Sequence, residues 1–183
     1  MSIVLAAVVL RPPEPEDLER IYQYRNDSAV TDWLGGFLPG MARKDVAEWI
    51  ELHRQKRDEV LWVIADRENR ALGHVGLYRI DHRLRHAEFA IVLGDRNCWG
   101  KGIGREVCAA VLRFGFLELN LRQIRLGVLE TNARARRLYA RLGFREDGRL
   151  RDDQFRNGRY VDSILMSLMR TEWQAGSEAC PPA

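Results

Sequence analysis

Two side chains capable of acid–base chemistry lie in otherwise apolar stretches. Glu88 is the only acidic residue at positions 82–94 and falls inside an apolar run. Tyr139 follows Asn132 by seven residues and Ala135 by four, so all three would share one face of a helix. A carboxylate and a phenol can accept and donate a proton in catalysis. Taken alone, a solvent-facing glutamate and a packing tyrosine remain open alternatives.

A glycine-rich loop separates a predicted strand from a predicted helix. Gly100, Gly102 and Gly104 would let backbone N–H groups turn toward an anion at the helix N-terminus. The loop lacks the Gly-Lys-Ser/Thr of a nucleotide P-loop, and Arg105 stands where a dinucleotide fingerprint needs its third glycine. A plain turn is the alternative, but nearby basic side chains favour a phosphate site. These are Arg96, Lys101 and Arg105.

The elements around these residues predict a single mixed α/β domain. Two amphipathic helices come first, then a strand meander, then two strand–helix units and a final hairpin turning at Asn157-Gly158. Thr131 or Asn132 would cap the second of the late helices, and Gly143 would end it. Positions 27–40, with Trp33 and Phe37, are predicted as a pocket-lining loop. We expect the domain to span residues 1–173 and a flexible tail to follow at 174–183.

Composition narrows the class of protein. The 183 residues are 46% hydrophobic and 30% charged, as in an ordinary globular protein. The longest apolar run has eight residues, so neither export nor a membrane span is indicated, and a cytoplasmic location is expected. Three widely spaced cysteines and four scattered histidines suggest no disulfide frame and no metal site.

Charge is unevenly distributed along the chain. The first 58 residues hold 8 basic and 10 acidic side chains, whereas the remainder holds 21 basic and 16 acidic ones. No continuous basic tract with interleaved aromatic residues appears, so a small anionic ligand is favoured over nucleic acid. Oligomeric state stays open, a homodimer being the commonest assembly.

Together these motifs resemble the GNAT superfamily of N-acetyltransferases, from about Val8 to Trp173. Within it the chain is similar to the branch of ribosomal-protein alanine and spermidine acetyltransferases, which share the hairpin type at positions 156–160. The segments that carry the resemblance are Ala87–Leu93, Trp99–Gly104, Asn132–Ala135, Leu138–Tyr139 and Leu142–Phe144.

The resemblance implies a fold and a donor. The fold would be a central, mostly antiparallel sheet, splayed between the strand ending at Leu93 and the strand starting near Gln123, with flanking helices. Acetyl-CoA would lie in the gap, and no metal would take part. Its arm would pair with Ile91, Val92 and Leu93, and its pyrophosphate would rest on the loop, Trp99, Gly100, Lys101, Gly102, Ile103 and Gly104, beside Arg96 and Arg105. Asn132 and Ala135 would complete the cofactor site.

The same resemblance implies acetyl transfer to a primary amine by direct attack. An alkylamine has a pKa of roughly 10, so it must lose a proton before it attacks. Glu88 matches the family's strand position and is the predicted base, whereas Tyr139 is the predicted acid for the departing thiolate. Many family members carry Gln or Arg where this chain has Trp99, which leaves the backbone as the main phosphate ligand.

The acceptor site is expected where the first two helices and their loop face the acetyl group. Candidates are Tyr24, Asp27, Asp32, Trp33 and Glu48. The negative balance of this segment suits a cationic amine, either a small molecule or a protein N-terminus. The loop carries one acid, Asp32, among apolar residues, which weakens the case for a polyamine. The alternative functions are a non-catalytic acetyl-CoA-binding module and a basic nucleic-acid adaptor.

Overall fold

The computed structural model describes residues 1–36 and 40–176, and this part of the chain forms one eight-stranded sheet. The strand order is β1-β2-β3-β4-β5-β6-β8-β7, and only β5 and β6 pair in parallel. The predicted mixed α/β, mostly antiparallel architecture is therefore confirmed. The strands are β1 (Ile3–Val4), β2 (Val9–Arg11), β3 (Val60–Ala65), β4 (Ala71–Asp81), β5 (His86–Leu93), β6 (Gln123–Leu129), β7 (Arg145–Arg156) and β8 (Arg159–Met169).

Helices cover the two faces of this sheet unequally. The helices are α1 (Leu18–Arg25), α2 (Ser28–Thr31), α3 (Arg43–Gln55), α4 (Ile103–Leu117), α5 (Ala133–Arg141) and α6 (Arg170–Gly176). Helices α4 and α5 pack on one face in the larger apolar core, where Phe116 and Ile124 are fully buried. Helices α1 to α3 pack on the other face around a smaller cluster that includes Ile21 and Val92.

Strands β5 and β6 separate after three residue pairs. His86 to Glu88 lie opposite Gln123 to Arg125, and no pairing continues beyond Glu88 within the described residues. The rest of β5 pairs with β4, and β6 pairs along its whole length with β8. A wedge-shaped gap therefore opens between the carboxyl halves of β5 and β6, which confirms the predicted splay.

Turns and termini agree with the sequence patterns in most places. Asn157 and Gly158 both have positive φ, at 48° and 78°, and connect β7 to β8 as predicted. Asn132, rather than Thr131, caps α5, and Gly143 ends it with a φ of 94°.

Two sequence predictions need correction. The segment predicted as a loop at positions 27–40 contains the short helix α2, capped by Asp27, and Phe37 lies outside the described residues. At the other end, α6 continues to Gly176, past the predicted start of the tail at 174, because Trp173 packs 5.2 Å from Phe116 and anchors the helix. Residues 177–183 lie outside the described residues.

Candidate active site

The glycine loop presents unpaired backbone donors at the start of α4. Gly100 and Gly102 have φ values of 80° and 84°, which L-residues rarely adopt, and a Cβ atom at either position would meet open space. Within the described residues the N–H groups of positions 100–104 have no hydrogen-bond acceptor. Five free donors at a helix N-terminus form a cradle that suits a phosphate group.

The edge of β5 that faces the gap is open. Gly94 N–H donates to the Leu72 carbonyl at 2.8 Å, which fixes the alternation of hydrogen bonds between β5 and β4. The peptide groups of Ile91 and Leu93 consequently point to the gap. Those of Val92 point to β4, so the predicted backbone pairing of a ligand with Val92 is wrong.

Trp99 does not extend toward the cradle. Its Nε1 donates to the Leu93 carbonyl at 2.8 Å, and the Arg134 guanidinium lies 5.6 Å from its ring centre. The indole thus occupies one of the backbone acceptors predicted for a ligand. Ile91 keeps both peptide groups open among the described residues.

Tyr139 belongs to the large apolar core and contacts Phe89 on β5, one of the two strands that border the gap. Tyr139 is 8% exposed. Its ring centre lies 6.2 Å from that of Phe89, in an edge-on arrangement, and 5.8 Å from that of Phe144, in a tilted one. Burial raises the pKa of the Tyr139 hydroxyl above its ordinary value of 10. The phenol therefore keeps its proton at neutral pH.

Glu88 lies on the opposite face of β5 from Phe89, at the last residue pair before the strands separate. Its side chain is 43% exposed and forms an ion pair with Arg79. The apolar run predicted partial burial, and Glu88 is partly buried, with the rest of its side chain open to solvent. Glu88 and Tyr139 therefore approach the start of the gap from its two sides.

The predicted basic residues divide into two groups. Lys101 and Arg105 are exposed beside the cradle. Arg96 instead lies 3.7 Å from Asp27, with which it forms an ion pair. Arg134 was missed by the sequence analysis, since nothing in its spacing indicates that the first turn of α5 lies beside Trp99.

Comparisons with known proteins decide the family. A family model described as an acetyltransferase (GNAT) domain matches residues 7–145. The chain belongs to the GNAT acetyltransferases. It transfers an acetyl group to an amine.

Related acetyltransferases extend over nearly the whole chain. It is 31% identical to spermidine N(1)-acetyltransferase of Escherichia coli K12 over 170 residues, which cover 92% of this chain and 89% of that protein. The Vibrio cholerae spermidine N(1)-acetyltransferase is also 31% identical, over 93% of this chain and 98% of its own. A crystal structure of spermidine N-acetyltransferase from Vibrio cholerae in complex with CoA and spermine superposes with a TM-score of 0.85 at 29% identity, covering 92% and 99% of the two chains.

Asn132 connects the start of α5 with the segment that follows α2. Its Oδ1 accepts from Ala135 N–H at 3.1 Å and so caps α5, while its Nδ2 lies 3.5 Å from the Trp33 carbonyl. Asn132 and Ala135 are thus joined as predicted on one helical turn. The predicted contact of Asn132 with a ligand stays a prediction.

Two candidate acceptor residues differ from the expectation in opposite ways. Tyr24 is mostly buried, although it lines the cavity between α1 and the end of β5, and Glu48 lies on the outer surface. Tyr24 is 5% exposed, packs directly over Gly94, and hydrogen-bonds His74 Nδ1 at 2.9 Å. Glu48 projects to solvent from the outer face of α3, where it lies 3.6 Å from Lys44. The sequence pattern of α1 and α3 could not show which residues the sheet would cover. Glu48 is corrected to a surface residue, and contact of Tyr24 with an acceptor stays a prediction.

The other acceptor candidates stay accessible. Asp27 and Arg96 line a cavity of about 270 Å³ between α1 and the end of β5. Asp32 is exposed, and Trp33 is 46% exposed. Both belong to the segment that follows α2.

The final hairpin holds that segment in place. Arg156 Nη2 donates to the carbonyls of Leu34, at 2.6 Å, and Gly36, while Gln154 Oε1 accepts from Gly36 N–H at 2.7 Å. Sequence reasoning missed both side chains because they are 118 residues or more distant from their partners. These contacts hold the segment in which the Trp33 carbonyl lies 3.5 Å from Asn132 Nδ2, at the start of α5.

Proposed function

We propose that this acetyltransferase takes its acetyl group from acetyl-CoA and delivers it to a primary amine that carries a single positive charge. The donor follows from the cradle and the open strand edge. The acceptor follows from the face of the sheet that α1 to α3 leave uncovered. The single observation that carries the proposal is the set of five free N–H groups at positions 100–104, in a loop shaped by the left-handed Gly100 and Gly102.

The donor site fits CoA on its own chemistry. The cradle would hold the pyrophosphate, with Lys101 and Arg105 beside it as exposed cations. The N–H and C=O of Ile91 both face the gap. They would pair with the amide-containing arm in the manner of an added strand. The bound thioester supplies the acetyl group and a thiol leaving group.

Side chains at the start of the gap would manage the protons. Tyr139 holds a proton on its hydroxyl because burial raises its pKa, and we assign it as the donor to the leaving sulfur. Glu88 would accept the proton of the entering ammonium, directly or through water. Leu93 N–H, turned to the gap, is the backbone donor available to the acetyl oxygen.

The acceptor would enter over four positions that we call the acceptor face: Glu88, Ala90, Gly127 and Leu165. All four are on the same side of the sheet, since Gly127 lies opposite Leu165 and Glu88 lies opposite Arg125. A Cβ atom at Gly127 would meet nothing within 4 Å, and Leu165 is 38% exposed. An apolar floor with one carboxylate suits a monoamine with an apolar body.

A polyamine is the second candidate, and the similarity to spermidine acetyltransferases favours it. Spermidine carries several charges, and each would call for an anionic partner. The acceptor face offers Glu88, and the segment after α2 adds Asp32. A protein N-terminus would also meet the requirement for a single charge.

Two measurements test this function. Calorimetric titration with acetyl-CoA, beside ADP as a control, should give micromolar binding that requires the whole cofactor. Thiol release should then show a higher kcat/KM for n-butylamine or an amino-acid amide than for spermidine. A preference for spermidine would favour the second candidate. Absence of both CoA binding and thiol release would overturn the proposal.

A further inference from the structure

Strand β4 contains a bulge opposite the candidate base. Tyr78 pairs with Glu88 and Asp81 pairs with His86, so Arg79 and Ile80 together face the single residue between them on β5. Arg79 has a φ of 48°, a conformation unfavourable for a residue with a side chain. Ile80 is 7% exposed and belongs to the large core. The bulge therefore returns Ile80 to the core and puts Arg79 outside it.

Without this bulge Arg79 would face the wrong side. Side chains alternate along a strand, so the residue after Tyr78 would point to the α4 face, away from Glu88. With the extra residue, Arg79 Nη2 donates to Glu88 Oε2. Burial of Ile80 accounts for the bulge, whereas the Arg79 side chain is 73% exposed and its described contact is with Glu88.

Other groups beside Glu88 do not replace this contact. Arg125, its neighbour on β6, donates from Nε to Gln123 Oε1 at 2.8 Å. Tyr78 lies opposite on β4, but its ring folds back over Gly76, where a Cβ would lie 2.8 Å from the hydroxyl. Among the described residues, Arg79 is the cation bonded to this carboxylate.

We propose that Arg79 is a positioning residue that occupies the Glu88 carboxylate until a cationic acceptor displaces it. This inference rests on the proposed function, since it assumes that the acceptor amine meets Glu88. An alkylammonium can take the place of the guanidinium at the carboxylate because each carries one positive charge, whereas a neutral molecule would leave the pair intact. Arginine does not give up its proton near neutral pH, so Arg79 selects the acceptor and takes no part in proton transfer.

The expected effect is modest because the pair is exposed. Exposed ion pairs are weak and readily exchanged, so removing Arg79 should strengthen ammonium binding by roughly two- to five-fold. The effect should appear in KM for a charged amine and leave kcat unchanged. An arylamine that is uncharged at pH 7 should show no change in KM.

A binding experiment tests this without acetyl transfer. The ¹³C signal of the Glu88 side-chain carboxyl, assigned with Glu88→Gln, is followed by NMR during titration with n-butylammonium chloride at constant ionic strength, and n-butanol serves as the neutral probe. Arg79→Gln should bind butylammonium roughly two- to five-fold more tightly than the wild type, because that range corresponds to the free energy of an exposed ion pair. Arg79→Lys should behave as the wild type. Arg83→Gln, an exposed arginine in the next turn, is the matched control and should also leave binding unchanged.

Two results would overturn the inference. Equal butylammonium affinity in the wild type and Arg79→Gln would make the pair a surface contact without a role. In the Glu88→Gln background, binding is followed by the backbone amide signal of Ala90 instead, and an Arg79→Gln effect that persists there would assign it to the bulge itself. Because the titration needs no turnover, a protein that fails to acetylate amines would contradict the proposed function and still give a result here.

Discussion

Tyr139 combines a packing role with a position at the gap, and the two can be separated by removing one oxygen. Tyr139→Phe keeps the ring contacts with Phe89 and Phe144, so the fold and the affinity for acetyl-CoA should change little. Loss of the proton donor should lower kcat by about 100-fold, the low end of what a positioned acid contributes. Steady-state kinetics with calorimetric titration of acetyl-CoA measure both quantities.

Tyr160→Phe provides the control for this change. Tyr160 is 66% exposed at the tip of the final hairpin, so kcat should equal that of the wild type. A Tyr139→Phe enzyme within two-fold of the wild-type kcat would remove the assigned acid. Since burial raises the pKa of Tyr139, its protonated form persists to above pH 10, and its ionisation should cause no loss of kcat between pH 7 and 9.

At the scale of elements, the sequence predicted the turns and helix ends, because neighbouring residues determine the backbone conformation there. Glycines before α4, the Asn157-Gly158 turn and the Gly143 stop all mark positive φ, and all are confirmed. The gap between β5 and β6 followed from the family resemblance. Its limit at Glu88 depends on where two strands distant in sequence cease to pair.

What the sequence could not predict depends on packing between distant elements. Tyr24 lines a cavity beside α1, but most of its ring is buried over Gly94, where a side chain would collide with it. Trp99 looks like a loop residue, yet its indole donates back to β5. The bulge at Arg79 leaves no local signal, because it exists to bring Ile80 back into the core. The positive φ angles of the loop thus followed from the sequence, whereas the positions of these side chains did not.

The cradle gives an element-scale prediction. Gly102→Ala puts a Cβ on a residue with a φ of 84°, which should cost about 1–2 kcal/mol in unfolding free energy. If the loop relaxes to avoid that cost, the N–H groups turn away and acetyl-CoA binds more weakly. Urea unfolding and calorimetric titration measure the two effects.

Gly104→Ala is the matched control, since its Cβ would lie at ordinary distances of 3.4 Å and 3.6 Å from Leu93 and Leu138. This variant should retain both stability and affinity. Equal behaviour of the two alanine variants would mean that the left-handed conformation of Gly102 does not shape the cradle.

At the scale of the whole molecule, the two clusters that the helices cover differ in character. The core under α4 and α5 is large and apolar, whereas the cluster under α1 to α3 is small and has the buried His74 hydrogen-bonded to Tyr24 at its edge. His74 is 5% exposed, and Trp49 lies 5.1 Å from its ring. The helices predicted to form the acceptor site thus depend on an imidazole that must stay neutral.

That dependence predicts how stability changes with pH. Burial lowers the pKa of His74 from 6.5 to about 3, so between these values the unfolded chain binds a proton that the folded chain does not. The contribution of His74 to the unfolding free energy is fully present above pH 6.5. As the pH falls below that value, the unfolding free energy decreases by up to about 1.4 kcal/mol per pH unit. Between pH 7 and 5 the wild type should therefore lose about 2 kcal/mol more unfolding free energy than His74→Gln, which does not titrate.

Urea unfolding at pH 5, 6 and 7 measures this difference, in which the contributions of all other titrating groups cancel. His82→Gln is the control, because His82 is exposed in the turn between β4 and β5 and should leave the pH dependence of the wild type unchanged. Parallel curves for the wild type and His74→Gln would show that the imidazole is hydrated or protonated in the folded protein. The contact of Tyr24 with His74 would then not seal the smaller core, and the acceptor-side helices would have to be held chiefly by their apolar residues, Ile21, Val46 and Ile50.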